Sequence, residues 1–189
     1  TAPEFYRLRI AGQIINIAID STETVSIKAE YPGMASQYEV SGSEECSRIK
    51  QLTLMQMSLQ TQLNAIASNP QLGADAVNDS VARVVEAYKT RVKTDYIFKE
   101  PMKASSYFAL FQTLNAGGQS VLIFNPRSSE QDVKVFAAVA TSWDTFYPNE
   151  ERGENLHNIA IEGMKDIRII KSKQAQGPVA ADKVNTTGI

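Results

Sequence analysis

Between Ile49 and Ile66, the apolar residues Ile49, Leu52, Met55, Leu59, Leu63 and Ile66 recur at steps of three and four. That period buries one side of an α-helix along its whole length, and Gln51, Gln56, Gln60 and Gln62 lie largely away from the stripe. The spacing predicts a helix of about 24 residues, roughly 36 Å long at 1.5 Å per residue. Ser41 with Glu44 fits a capping box, and Ser43 is an alternative cap. Asn69-Pro70 through Gly73 breaks the pattern. A second helix then carries Val77, Val81, Val84, Tyr88 and Val92 on one face. Asp75 falls in its first turn and Lys89, Arg91 and Lys93 in its last, as the helix dipole favours. The short break makes the pair an αα-hairpin.

The segments before it have the period of strands. Thr24 to Tyr31 alternates apolar and polar residues, and Tyr6 to Ile10 does the same with Arg7 and Arg9 outward. Ala11-Gly12-Gln13 leads into Ile14 to Ile19, apolar on nearly both faces and therefore read as a central strand. Asp20 to Glu23 reads as a hairpin loop, and Pro32-Gly33 closes an antiparallel meander.

After the helices, Tyr96 and Phe98 suggest a short strand ended by Pro101. Ser105 to Leu114 reads as a helix with Phe108, Phe111 and Leu114 inward, stopped by Asn115 to Gly118. Strands are then expected at Ser120–Phe124, Val133–Trp143 and Leu156–Ile170, the last broken at Gly163 by a bulge or turn. The expected fold is α+β. An antiparallel β-sandwich or barrel over residues 1–171 would carry the αα-hairpin as an insertion at 43–93, one short flanking helix, and an extended tail at 172–189.

Little in the chain points to chemistry. His157, the only histidine, sits beside Asn155 and Asn158 and reads as a surface or turn residue rather than a base or metal ligand. Cys46 falls in the first turn of the long helix, where the dipole lowers a thiol pKa, but no base can be assigned to it. A partly buried thiol is the simpler reading, and a single cysteine makes no internal disulfide. Glu150, Glu151 and Glu154 crowd one loop without calcium-loop spacing, and nothing selects a carboxylate pair for hydrolysis. No phosphate-binding or dinucleotide-binding glycine motif occurs. The chain is expected to be no enzyme and to hold neither metal nor cofactor. Net charge −2 and pI near 5.5 speak against a nucleic-acid-coating surface, and no apolar run reaches the roughly 18–20 residues that span a bilayer.

Candidate contact residues are more numerous. Met55 and Met57 fit an adaptable partner-binding face, against the plainer reading of helix packing. Trp143, Phe146 and Tyr147 cluster beside Pro148 with no interleaved basic residues, which favours a core edge or subunit interface over a base-stacking platform. Residues 172–189 are small, polar and without hydrophobic period, so alone they cannot offset their ordering entropy. They are expected to lie along a neighbouring subunit through Val179, Val184 and Ile189.

The order over residues 105–171 is a short helix (Tyr107 to Leu114), a glycine stop, the strand Val121 to Phe124, Val135 to Asp144, a polar loop and a long closing strand pair. It resembles the tube-forming β-barrel proteins of phage tails and baseplates, and the inserted helical hairpin departs from the plain tube subunit. The resemblance implies a structural virion subunit, tube-like or tube-initiator-like. It would assemble in the host cytoplasm into a ring with copies of itself and with neighbouring tail or baseplate proteins. A capsid or head–tail joining protein is the alternative within that class, and a ligand- or glycan-binding β-sandwich module is the alternative outside it. Neither membrane nor specific nucleic-acid binding is expected.

Overall fold

The computed structural model describes residues 1–20 and 22–175. Two strands, β1 (Glu4–Ile10) and β2 (Gln13–Ile19), form the first hairpin. A second joins β3 (Ser26–Ala29) and β4 (Tyr38–Ser41), and is followed by helices α1 (Glu44–Ala67) and α2 (Ala74–Val92). A five-residue π-helical turn (Lys93–Ile97) extends α2 and leads to α3 (Ala104–Leu110). A third hairpin, β5 (Thr113–Ala116) with β6 (Gln119–Leu122), precedes α4 (Glu130–Phe146) and α5 (Glu151–Ala175).

The expected β-sandwich or barrel is thereby overturned. Helices hold 56% of the described residues and strands 17%, and the strands among them form three separate two-stranded sheets that close no sandwich or barrel. The difference lies in two long segments that are helices rather than strands. Val133–Trp143 is the body of α4, and its buried Val133, Phe136, Val139, Ala140 and Trp143 recur at helical steps, a period masked by β-branched composition. Ser129 caps that helix, its Oγ accepting from Asp132 N at 3.2 Å. Leu156–Ile170 lies within α5, where Leu156, Ala160 and Gly163 face inward at steps of four and three. Gly163 is no bulge. A Cβ there would meet the Pro126 carbonyl oxygen at 2.6 Å, so glycine lets α5 close onto the loop before α4.

The meander is also corrected, since β3 pairs forward with β4 and not with β2, and β2 pairs only with β1. Tyr96 lies in the π-helical turn, not on a strand. The αα-hairpin is found as expected, with α1 at 24 residues, but the cap is Ser43, the alternative, and Ser41 ends β4 instead of forming a capping box with Glu44. It is not an insertion in a β framework, however. Leu52 and Leu59 of α1 and Tyr88 and Val92 of α2 share one buried cluster with Phe124, Phe136 and Trp143.

One ion pair is sealed into this body. Lys89 Nζ lies 2.7 Å from Asp132, whose carboxylate is 2% exposed and also accepts from Asn125 N. The ammonium sits over the Phe124 ring, 5.4 Å from its centroid. The pair ties α2 to α4 and fixes the chain as it leaves β6.

Candidate functional site: an open strand edge

The first hairpin turns on Ala11 and Gly12, with φ of 47° and 82°. Two consecutive left-handed residues make a type I′ turn, which sets Ile10 opposite Gln13 as a hydrogen-bonded pair. Alternation then directs the backbone groups of Glu4, Tyr6, Leu8 and Ile10 toward β2. It leaves the N–H and C=O groups of Phe5, Arg7 and Arg9 on the outer edge, where no strand among the described residues adjoins β1.

The hairpin is held at its root and tip. Arg152 Nη2 donates to Glu4 Oε2 at 2.8 Å, and its guanidinium lies over the Phe5 ring. That hydrogen bond is the main cause of the raised Arg152 pKa. Phe5 packs against Tyr107 with ring centroids 5.1 Å apart, and Ala18 is buried with Ile49 and Ala104. At the tip, Gln13 accepts from Ala35 N and donates to the Pro32 carbonyl.

The two faces of the hairpin differ. On one, Ile15 is buried with Met34 and Tyr38 beneath the second hairpin. That cover reaches only the β2 half. On β1 the same apolar strip runs out as Tyr6, Leu8 and Ile10, exposed at 52%, 39% and 50%. On the other face Arg7 and Arg9 are exposed, and neither has an ion-pair partner among the described residues. An open groove of about 850 Å³ runs beneath this face, with Phe5, Arg7 and Asn16 on one side and Tyr107, Phe111 and Gln56 on the other.

The β5 edge makes the contrast. Gln56 Nε2 donates to Thr113 O at 2.5 Å, and Gln60 both accepts from Asn115 N at 2.7 Å and donates to Asn115 O at 3.2 Å. Two glutamines one helical turn apart thus act as the missing strand. Four helical residues rise about 6 Å, close to the roughly 6.6 Å spanned by two strand residues.

Other candidates resolve differently. His157 is on α5, its Nε2 at 2.5 Å from Asp144 Oδ2 on α4, in a groove of about 510 Å³ shared with Glu154 and Asn158. Among the described residues no serine, threonine or cysteine lines that groove, and the His157–Asp144 contact clasps α5 to α4. Cys46 is buried, its thiol donating to Ala18 O at 3.1 Å. No group of three or more His, Cys, Asp or Glu among the described residues could hold a metal ion. No helix among the described residues is long and apolar enough to cross a membrane.

Met55 is half-buried against the core and Met57 is exposed. Trp143 is fully buried, 4.8 Å from Tyr107 between ring centroids, so it belongs to the core rather than a surface. Tyr147 packs on Trp143, and Phe146 alone of the three is exposed. Helix α5 takes in the first four residues of the expected tail, while Val179, Val184 and Ile189 lie outside the described residues. The β1 edge was not singled out from sequence, although the outward Arg7 and Arg9 and the alternation of Tyr6, Leu8 and Ile10 were its signal. No family model, no curated protein and no solved structure matches this chain.

Proposed function

We propose that this protein is a non-catalytic interaction module that takes an extended polypeptide strand along the open edge of β1. The observation that carries the reading is the unequal treatment of two strand edges within one fold. The β5 edge is sealed by Gln56 and Gln60, whereas β1 leaves the outward groups of Phe5, Arg7 and Arg9 without a partner among the described residues, beside exposed Tyr6, Leu8 and Ile10. An exposed, apolar strand edge is a template for strand addition, in which main-chain hydrogen bonds supply affinity and alternate side chains supply selectivity. Rooting of the hairpin through Arg152 and Phe5 pre-orders the edge, so less entropy is lost on binding.

The virion-subunit expectation would use the same edge between copies in a ring. Its element order rested on strands at Val133–Trp143 and Leu156–Ile170, and both segments are helices, so that order no longer supports it. The test is Arg7→Pro. Proline removes an outward N–H without touching the β1–β2 ladder, so the fold should persist while strand capture is lost. Binding of extended peptides should fall at least about tenfold relative to Arg7→Gln. Equal binding by the two variants, with both folded, would overturn strand addition at this edge.

A further inference from the structure

We infer that the strand taken by β1 is a segment of another polypeptide in which acidic and apolar residues alternate. The inference rests on the strand-addition reading and names its partner. A strand laid beside β1 places its side chains on the two faces already defined by the hairpin, in register with those of β1. On the apolar face its residues meet the strip of Tyr6, Leu8 and Ile10. On the groove face they meet Arg7 and Arg9, two cations two residues apart. Neither has an ion-pair partner among the described residues, although the whole chain carries a net charge of −2. The one acid of the strand, Glu4, is already engaged by Arg152. Carboxylates at alternate positions of the incoming strand are what this edge lacks.

The same charges argue against a second copy as the occupant. A two-fold antiparallel pairing of β1 with itself keeps like faces together, so residues of equal parity stand opposite. Centred on Arg7, it sets Arg7 against Arg7. Centred on Leu8, it sets Arg7 against Arg9, and centred on Tyr6, it brings two copies of Arg7 to the diagonal position. Like charges at these separations destabilise a pair, whereas opposite charges stabilise it. The groove below, walled by Tyr107, Phe111 and Gln56, leaves room for the long side chain of a glutamate.

The test uses the whole chain and three labelled seven-residue peptides with blocked ends: alternating valine and glutamate, the same with glutamine, and the same with lysine. Fluorescence anisotropy measures binding, and hydrogen exchange of the Phe5, Arg7 and Arg9 amides reports where the peptide lies. The glutamate peptide should bind roughly 2- to 30-fold more tightly than the glutamine peptide, the range set by two cross-strand charge pairs. The lysine peptide should bind weakest, and about 0.5 M salt should shrink the preference. The double variant Arg7→Gln/Arg9→Gln should bind the glutamate and glutamine peptides alike. Slowed exchange at the three amides with no preference for glutamate would overturn the acidic partner and leave strand addition standing. No binding and no slowing with any peptide would overturn both. Self-association in sedimentation, with the same three amides protected in the absence of peptide, would make a second copy the occupant and overturn the inference. Equal affinity for glutamate peptide and for a polyanion such as heparin would reduce the site to charge attraction and overturn it also.

Discussion

The first and third hairpins are both two-stranded, and an isolated pair of strands has little stability of its own. The body treats them oppositely. The third is bound along its length: Gln56 and Gln60 take up the β5 edge, Ile123 N donates to Gln112 O, and Asp132 receives the chain just beyond β6. In the first, the body covers β2 but holds β1 at its root only, and beyond that β1 offers unpaired backbone, among the described residues, and an apolar strip to water. Strand composition does not explain the difference, since β1 is the more apolar and β-prone of the two edges. What separates them is whether a helix bearing amides of the right spacing lies alongside.

The largest test of this contrast is Asp132→Ala. It leaves the Lys89 ammonium buried without a partner and frees the end of β6, and should destabilise the fold by about 3–5 kcal/mol in urea unfolding. Its counterpart at the first hairpin, Glu4→Ala, removes a partly exposed ion pair with Arg152 and should change stability by no more than about 1 kcal/mol. Comparable losses would mean that the two hairpins are equally secured.

Next in size is Gln56→Ala, which strips the half-buried Thr113 carbonyl of its donor and should cost roughly 1–3 kcal/mol. Gln60→Ala should cost less, because Asn115 is exposed and its groups regain water, yet amide exchange at Asn115 should accelerate. Unchanged exchange there would show that the β5 edge is not sealed by glutamine.

The cover over the β2 half gives a pH test. Burial first, and the neighbouring Cys46 second, push the Tyr38 phenol from 10.0 up to about 12. Between those values the folded chain keeps a proton that the unfolded chain gives up. Stability from this group is therefore complete below about pH 10 and falls as pH rises toward 12, by about 2 kcal/mol. Tyr38→Phe should flatten that part of the alkaline unfolding profile. Tyr88, raised further by burial, keeps its proton beyond the window. An unaltered profile would mean that the cover over Ile15 is open to water.

The smallest effect is expected at the open edge itself. Leu8→Ser should leave stability within about 0.5 kcal/mol, since the side chain is already exposed, while weakening capture of an extended peptide. A large loss of stability instead would show that the strip is covered in solution.

The sequence alone determined the elements whose signals are local. The period of Ile49 to Ile66, the break at Asn69–Gly73 and the Ala11-Gly12 turn yielded α1, α2 and the first hairpin, because spacing and backbone preference act within a few residues. It misled at Val133–Trp143, where Val133 and Val139 stand at helical steps, and at Leu156–Ile170, where isoleucines at other positions outnumber the inward Leu156, Ala160 and Gly163. Only the tertiary structure decided that Gln56 and Gln60 would serve β5 while no group among the described residues would serve the outer edge of β1. Those outcomes depend on which surfaces meet across more than fifty residues of chain, and a glutamine reads the same in sequence whether its amide faces water or a strand edge.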